Sequence, residues 1–180
     1  MIRYKLVTSE KELKQILELQ RENLPSNISE EEKLQEGFVT VNHTFALLNE
    51  MNDACPHTIA THNSDVIGYA LSMHPKFGDS IEVLKPMFAE IQKYSDQLFQ
   101  KPNNFLVMGQ ICISKDFRRK GIFRELYFQM KHNFIPPYEA IITEVDTANK
   151  RSLQAHYAVG FKQITMYSSG GQDWDLLILR

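Results

Sequence analysis

The stretch that decides the fold runs from Asn104 to Phe134 and reads NFLVMGQICISKDFRRKGIFRELYFQMKHNF. It begins with an apolar, β-forming run of strand length, Phe105 to Ile113, and ends with apolar residues at helical spacing. Between them lies the basic turn Arg118-Arg119-Lys120-Gly121. A helix begins with free backbone N–H groups and a partial positive charge, and glycine lets the backbone approach an anion closely. The order of strand, basic glycine turn and helix therefore predicts a phosphate-binding site.

Length and composition indicate the class of protein. A chain of 180 residues with 43% hydrophobic and 23% charged residues fits one soluble globular domain, residues 1–180. The net charge of -2 excludes a global attraction to nucleic acid or to a membrane, so any anion site is local. The two cysteines, Cys55 and Cys112, fit a reducing compartment without disulfides. Because the sequence shows neither the apolar core of a signal peptide nor a membrane-spanning run, we expect a cytoplasmic protein.

Periodicity and capping signals predict the other elements. Before the central stretch they begin with a strand at 2–7 and a helix that the capping box of Ser9 and Glu12 opens and Pro25 ends. A short acidic helix follows from Ser29 to Gly37, with a capping signal from Ser29 and Glu32. Next come an extended piece at 38–41, a helix at 43–51, and a hairpin of strands 57–62 and 66–73 around Asn63-Ser64-Asp65. After it come a strand at 138–146, a helix at 149–159 ended by Gly160, and a hairpin of strands 161–168 and 173–180.

Residues 76–102 interrupt the strand pattern and predict a helical insertion, in which Ser80 caps one short helix and Pro86 lies in the first turn of another. This insertion is a candidate for a homodimer surface or for part of a substrate pocket, and the sequence does not choose between them. For residues 26–54 two interpretations are likewise open, which are a wall of an acceptor-binding site and simple helical packing on the sheet. The order of all elements predicts an α+β fold with a mixed, mostly antiparallel central sheet flanked by helices.

Two motifs carry a resemblance to the GNAT superfamily of acetyl-CoA-dependent N-acetyltransferases. The first family signature is Arg or Gln, two residues, Gly, one residue, then Gly or Ala, and here it reads Arg118-Arg119-Lys120-Gly121-Ile122-Phe123. The second is an Asn that opens a helix ending in Gly-Phe, and here it extends from Asn149 to Phe161. The resemblance covers residues 57–180 by motif and order, and residues 1–56 by element order alone. It implies a sheet splayed between its fourth and fifth strands.

The resemblance also implies the cofactor, acetyl-CoA, and the residues that hold it. The pyrophosphate would lie on the loop and first helical turn, at Arg118, Arg119, Lys120, Gly121, Ile122, Phe123 and Arg124. The pantetheine and thioester end would lie along Ile111, Cys112 and Ile113, largely through backbone atoms, while Asn149, Ser152 and His156 on the next helix would contact the cofactor arm. For Cys112 a buried, inert thiol is the alternative.

Two departures from the family pattern concern the site. Phe123 stands where Gly or Ala is usual, so its ring either crowds the cofactor or packs into the core. Where family members often carry a Tyr as general acid, this chain has His156, and the tyrosine is its neighbour Tyr157. Adjacent helical residues point about 100° apart, so only one of them can occupy that place. His156 and Tyr157 are the candidate catalytic acids. For His156 a pocket histidine is the alternative, and for Tyr157 a place in the core is favoured.

The general base is open in the sequence. Family members often use a Glu on the fourth strand, but this strand carries Gln110, which cannot titrate. The candidates are Glu144 and Asp146 on the following strand, a water relay, and His74. The remaining histidines lack metal-ligand spacing, so no metal is predicted.

The sequence thus predicts transfer of an acetyl group from acetyl-CoA to a small-molecule or peptide amine, by direct attack in a ternary complex. Acidic residues at 30–32 and 36 fit either a cationic acceptor or a solvated helix face. One alternative is a non-catalytic acyl-CoA-binding or sensing module, which the missing strand glutamate favours. Another is a nucleic-acid-binding module using the basic turn, which the slightly acidic chain disfavours. Neither nucleic acid nor a membrane is an expected partner.

Overall fold

Seven strands form one sheet in the computed structural model, which describes residues 1–29, 31, 39 and 41–180. In chain order they are β1 Ile2–Leu6, β2 Thr58–His62, β3 Asp65–Met73, β4 Phe105–Ile113, β5 Ala140–Asp146, β6 Lys162–Ser169 and β7 Gln172–Leu179. They lie side by side in the order β1-β2-β3-β4-β5-β7-β6. All neighbours pair antiparallel except β4 and β5, which are parallel. The mixed, mostly antiparallel sheet predicted from the sequence is confirmed.

β4 and β5 separate soon after they begin to pair. Their ladder joins only Phe105–Val107 to Ala140–Ile142, although both strands continue well beyond it. At the point of separation the Thr143 hydroxyl donates a hydrogen bond to the Met108 carbonyl over 3.0 Å. Past this bond the facing edges of the two strands have no ladder between them, so a gap opens in the sheet. This is the predicted splay between the fourth and fifth strands.

The helices that cover the sheet are α1 Glu10–Glu22, α2 Phe45–Ala54, α3 Lys85–Leu98, α4 Ile122–Phe134 and α5 Lys150–Val159. Two predicted caps are present. The Ser9 hydroxyl accepts a hydrogen bond from the Glu12 N–H at the start of α1, and the Asn149 side chain accepts one from the Ser152 N–H at the start of α5. α5 ends at Gly160, whose φ of 113° lies in the left-handed region that favours glycine.

Two layers of helices sandwich the sheet, because side chains alternate between faces along each strand. On β4 and β5, Leu106 and Ile141 pack with α4 and α5, whereas their neighbours Phe105 and Ile142 pack with α3 on the opposite face. α1 and α2 also lie on the α3 side, over β2 and β3, where Leu71 is fully buried. Within the described residues, no helix is long and apolar enough to cross a bilayer.

Some predicted boundaries change in the structure. The region 76–102 consists of two short 3-10 turns, Pro75–Ser80 and Glu82–Leu84, followed by α3. Ser80 therefore ends a turn instead of capping a helix, and His74 caps that turn by accepting the Lys76 N–H over 3.1 Å. Most of the short acidic helix predicted from Ser29 to Gly37, including Glu32 and Glu36, lies outside the described residues. So do residues 38 and 40 of the extended piece predicted at 38–41.

Candidate functional site

The basic turn places the start of helix α4 at the protein surface. Arg119 and Gly121 both have positive φ, 62° and 78°, and this turns the backbone sharply into α4. Gly121 is the N-cap residue, and among the residues that the structure describes no side chain makes a capping hydrogen bond to this helix. A Cβ built on Gly121 would meet nothing within 4 Å, so its backbone conformation, not crowding, is what favours glycine. The first N–H groups of α4 are thus available to an anion.

A cavity of about 280 Å³, the loop cavity, lies in front of this helix end. Its lining combines the basic turn with the end of β4 and the start of α5: Asn23, Val39, Ile111, Cys112, Ile113, Arg118, Arg119, Gly121, Ile122, Phe123, Asn149, Arg151, Ser152 and Ala155. Three arginines and a positive helix end suit phosphate groups, and the isoleucines of β4 suit an apolar arm. The residues present therefore fit a cofactor that joins phosphates to a long, weakly polar chain.

Arg118 is anchored by its own side chain. Its Nε donates to the Ile113 carbonyl over 3.2 Å, and one terminal nitrogen donates to the Asn23 side chain over 2.7 Å. Asn23 ends α1, so this contact ties the basic turn to a helix far away in sequence. Sequence analysis missed Asn23, because nothing in its local pattern indicates a partner so distant along the chain.

Two of the residues predicted for the loop and the first helical turn lie outside the loop cavity. The Lys120 ammonium donates to the Asp116 carbonyl over 2.8 Å and lies 4.9 Å from the centre of the Phe117 ring. Arg124 is exposed and lines a separate cavity between the outer surfaces of α4 and α5. The other residues predicted for the loop all line the loop cavity.

Cys112 lines the loop cavity but is chemically quiet. It is 8% exposed and packs in the cluster beneath α1. Burial raises the pKa of its thiol to about 12, so the thiolate is not formed near neutral pH. The structure therefore favours the inert alternative for its side chain, while the backbone of Ile111 to Ile113 borders the gap.

A second cavity of about 120 Å³, the splay cavity, lies between the separated strands. It is lined by Val39, Met108, Gly109, Gln110, Ile111, Thr143, Glu144, Val145, Asp146, Asn149, Ser152, His156 and Trp174. Val39, Ile111, Asn149 and Ser152 line both cavities, so the two adjoin and form one groove. The acidic side chains are at the splay end of this groove and the arginines are at the loop end.

Glu144 is the strongest proton acceptor in the splay cavity. Burial raises the pKa of its carboxyl to about 7, and a hydrogen bond from the Tyr167 hydroxyl lowers it in part. A carboxylate with a pKa near neutrality can take a proton at physiological pH and return it to solvent. Sequence analysis included Glu144 among the candidate bases, and its position in the groove now distinguishes it from His74, which lines neither cavity.

His156 lies at the wall of the splay cavity with both ring nitrogens engaged. Nδ1 is 2.7 Å from the Ser152 carbonyl, so it donates, and Nε2 then accepts from the Tyr127 hydroxyl over 2.7 Å. The side chain is 2% exposed, and burial lowers its pKa to about 4, so the ring is neutral at pH 7. This arrangement favours the pocket-histidine alternative over a proton donor.

The Phe123 ring packs edge-on against this histidine. Its centroid lies 5.1 Å from that of His156 and 5.2 Å from that of Tyr127. The bulky residue at this motif position thus helps to fill the space between α4 and α5 and forms part of the cavity wall.

Tyr157 is not in the core, contrary to the expectation from the sequence. The Tyr157 side chain is 43% exposed, and its hydroxyl donates a hydrogen bond to Asp175 on β7 over 2.9 Å. It lines neither the loop cavity nor the splay cavity. The reason is helical geometry, since His156, one position earlier, takes the inward direction.

Gln110, the β4 side chain that cannot titrate, has a structural role. Its side-chain oxygen accepts hydrogen bonds from the Tyr69 hydroxyl and from Gln20, each over 2.6 Å. Its nitrogen donates to the Val41 carbonyl over 2.9 Å. The amide thus joins α1, β3 and the segment before α2. The bond to the Val41 carbonyl requires the amide, because a carboxylate has no N–H to donate.

Known proteins match this chain in structure and not in sequence. No protein-family model matches the chain, and no curated protein matches its sequence. The ribosomal-protein-S18-alanine N-acetyltransferase of Escherichia coli matches in structure with a TM-score of 0.64 and 13% identity, over 99% of this chain and 93% of that one. A Salmonella typhimurium protein solved with its cofactor acetyl-CoA gives 0.66 and 12%, over 100% and 94%. A GNAT-family structure from Desulfovibrio desulfuricans gives 0.65 and 12%, over 100% and 99%.

These matches extend over nearly the whole of each chain. At this level of identity they establish the fold. The chain therefore has the fold of the GNAT N-acetyltransferases, as the two sequence motifs predicted.

Proposed function

We propose that this protein transfers an acetyl group from acetyl-CoA to an amine, by direct attack in a ternary complex. The observation that carries the proposal is the single groove through the splayed sheet. One end offers an uncapped, arginine-rich helix terminus, and the other offers Glu144, a carboxyl with a pKa near 7. Phosphate recognition and proton removal are the two tasks that this transfer requires of the protein.

At the loop end, the N–H groups after Gly121 would hold the cofactor pyrophosphate, with Arg119 and Arg118 adding charge. Beyond Met108, the edge of β4 that no longer pairs with β5 would bind the pantetheine amides through its backbone. When bound, acetyl-CoA supplies an acetyl thioester whose C–S bond breaks as a C–N bond to the amine forms, and the proton lost by nitrogen is balanced by the proton gained by sulfur.

At the splay end, Glu144 would take the proton from the attacking amine. Asp146 and Trp174 line the same cavity, so a cationic amine would enter an acidic and partly aromatic environment. The Asp146 carboxylate already accepts hydrogen bonds from the Ala148 N–H and the Gln172 side chain, so it contributes charge more than proton transfer. The Escherichia coli protein with this fold is named for an alanine of a ribosomal protein, and this supports including peptide α-amines among the acceptors to be tested.

The first experiment measures acetyl-CoA binding by calorimetry, with CoA and ATP alongside, followed by thiol release against a panel of small amines and peptide N-termini. Arg119→Glu should abolish binding, because Arg119 lines the loop cavity. Lys120→Glu is the matched control, since the same charge change occurs one residue on, where the side chain turns to Asp116. It should weaken binding only modestly.

Three results separate the possibilities. Binding with thiol release on an amine supports the proposed transfer and identifies the acceptor class. Binding without release on any amine indicates the sensing module instead. If neither acetyl-CoA nor CoA binds, the proposed function is wrong.

A further inference from the structure

Tyr167, on the edge strand β6, reaches the candidate base from two strands away. In the register of the sheet, Tyr167 pairs with Trp174 on β7, and Trp174 pairs with Asp146 on β5. The Tyr167 ring lies on the α3 side of the sheet and packs against the cluster that contains Ile142. Glu144 is two residues beyond Ile142 on the same strand, so its side chain projects from the same face. The phenol therefore crosses over β7 to meet the carboxylate.

The contact between the two side chains is a hydrogen bond from the Tyr167 hydroxyl to Oε2 of Glu144. Burial and the neighbouring carboxylate raise the pKa of Tyr167, so the phenol stays protonated and acts as the donor. Among the described residues, no hydrogen bond to the other carboxylate oxygen, Oε1, is present. That oxygen is on a side chain that lines the splay cavity.

We propose that Tyr167 is a positioning residue for Glu144, holding Oε2 so that Oε1 faces the acceptor amine and receives its proton. The proposal rests on the acetyl transfer proposed above. No covalent change occurs at Tyr167. The amine proton forms an O–H bond at Oε1, and the phenol keeps its own proton throughout.

Other ionisable groups surround this pair and must be considered in any pH-dependent test. On the neighbouring elements they are Glu90 and Lys93 on α3, Asp146 on β5, His156 on α5 and Asp175 on β7. Glu90 acts on Tyr167 and is itself paired with Lys93 over 2.5 Å. Asp175 accepts from Tyr157 and Gln163 on the other face of the sheet. Tyr167 is the one side chain among the described residues that is hydrogen-bonded to Glu144.

If Tyr167 positions Glu144, removing the phenol hydroxyl should change the titration midpoint of Glu144, whereas a purely structural role for Tyr167 would leave that midpoint unchanged. A hydrogen bond to the charged form of a carboxyl favours ionisation, so Tyr167→Phe should raise the titration midpoint of Glu144 by about one pH unit. The matched control is Tyr94→Phe. The Tyr94 hydroxyl, on α3, donates to Thr165 over 3.2 Å and makes no hydrogen bond to Glu144, so the same loss of a hydroxyl should leave the midpoint unchanged.

The test has two readouts on the full chain. The first follows the side-chain carboxyl carbon of Glu144 by ¹³C NMR as a function of pH, without cofactor, with Glu144→Gln identifying the signal. The second is the pH dependence of kcat/KM for thiol release, where the acidic limb should move upward in Tyr167→Phe together with the NMR midpoint. An unmoved midpoint in Tyr167→Phe would overturn the proposal. So would an equal loss of rate at every pH with the limb in place, because that is the behaviour of a structural residue.

Failure of the proposed function gives a different pattern. In that case the wild type would release no thiol with any amine, although the NMR midpoint would still move in Tyr167→Phe. The hydrogen bond would then stand, and the role in acetyl transfer would be overturned with the transfer itself.

Discussion

The Glu144 carboxyl is buried, where a negative charge is unfavourable, so its protonation state changes the free energy of unfolding of the protein. The folded state holds its proton up to a pKa of about 7, whereas the unfolded chain releases it near the ordinary value of 4.5. Between these values the folded state binds more protons than the unfolded state, so this group's contribution to stability falls as pH rises from 4.5 to 7. Above pH 7 the buried carboxylate destabilises the protein in full.

Glu144→Gln should therefore stabilise the protein at pH 8, by about 1–3 kcal/mol, and have little effect at pH 4. The amide keeps the shape of the side chain and still accepts from Tyr167. Urea unfolding at the two pH values measures this difference, and Glu50→Gln on the exposed side of α2 is the control. The same variant should lose thiol release. Equal effects on stability at both pH values would show that the carboxyl is not the group that titrates.

Gly121 shows how one backbone conformation serves both folding and binding. Its φ of 78° is strained for any residue with a Cβ, and the space around it is open. Gly121→Ala should cost about 1–2 kcal/mol of stability and redirect the first N–H groups of α4, weakening acetyl-CoA binding roughly tenfold.

The control for this glycine is Gly170→Ala, in the β6–β7 turn, where φ is 61°. This variant should lose similar stability without any change in binding, because no residue of this turn lines the loop cavity. Urea unfolding and calorimetry on both variants check the pair of predictions. Equal affinities in the two variants would show that the Gly121 backbone does not face the cofactor.

At the scale of elements, the gap between β4 and β5 begins at the bond between Thr143 and Met108. The Thr143 hydroxyl satisfies a buried carbonyl at the place where the ladder ends. Thr143→Val keeps the shape and the strand propensity but leaves this carbonyl without its donor. The variant should lose about 1–3 kcal/mol in urea unfolding.

The matched control is Thr61→Val at the β1–β2 edge, where the hydroxyl donates to the Arg3 carbonyl at an exposed site over 3.4 Å. Water replaces that bond, so the change should be within about 0.5 kcal/mol. A Thr143→Val loss no larger than that of Thr61→Val would contradict a special role for the bond at the start of the gap.

At the scale of the whole molecule, three buried histidines make the protein sensitive to acid. Burial lowers the pKa of His43, His57 and His156 to about 4 each. The folded state keeps them neutral, while the unfolded chain protonates them below about 6.5. Their stabilising contribution is therefore present above pH 6.5 and is lost as pH falls towards 4.

Over part of this pH range the contribution of Glu144 to stability changes in the opposite direction. The net change in the free energy of unfolding is therefore that of three histidines against one carboxyl. The free energy of unfolding should fall between pH 6.5 and pH 5, with each histidine contributing up to about 1.4 kcal/mol per pH unit. Urea unfolding across this range measures the slope. A flat or rising stability on acidification would show that these histidines are accessible to protons in the folded state.

Local sequence signals predicted those features that depend on a few neighbouring residues. The Ser9 and Asn149 caps, the Gly160 helix end and the glycine turn between β6 and β7 are all present in the structure. Each depends on backbone conformation or on hydrogen bonds spanning three or four positions, which the residue types themselves specify. The same holds for the positive φ of Gly121 in the turn before α4.

Tertiary structure decided what distant segments do when they meet. It placed Tyr167 against Glu144 across β7, engaged both nitrogens of His156, and bound Gln110 into a network between helix and strand. It also turned Arg124 and Tyr157 away from the groove. These outcomes depend on strand register and on which face a side chain takes, and contacts between segments far apart in the chain leave no periodic signal in the sequence. The sequence by itself therefore determined most elements of the α+β fold and the glycine turn before α4, and only the folded molecule decided which groups share the groove.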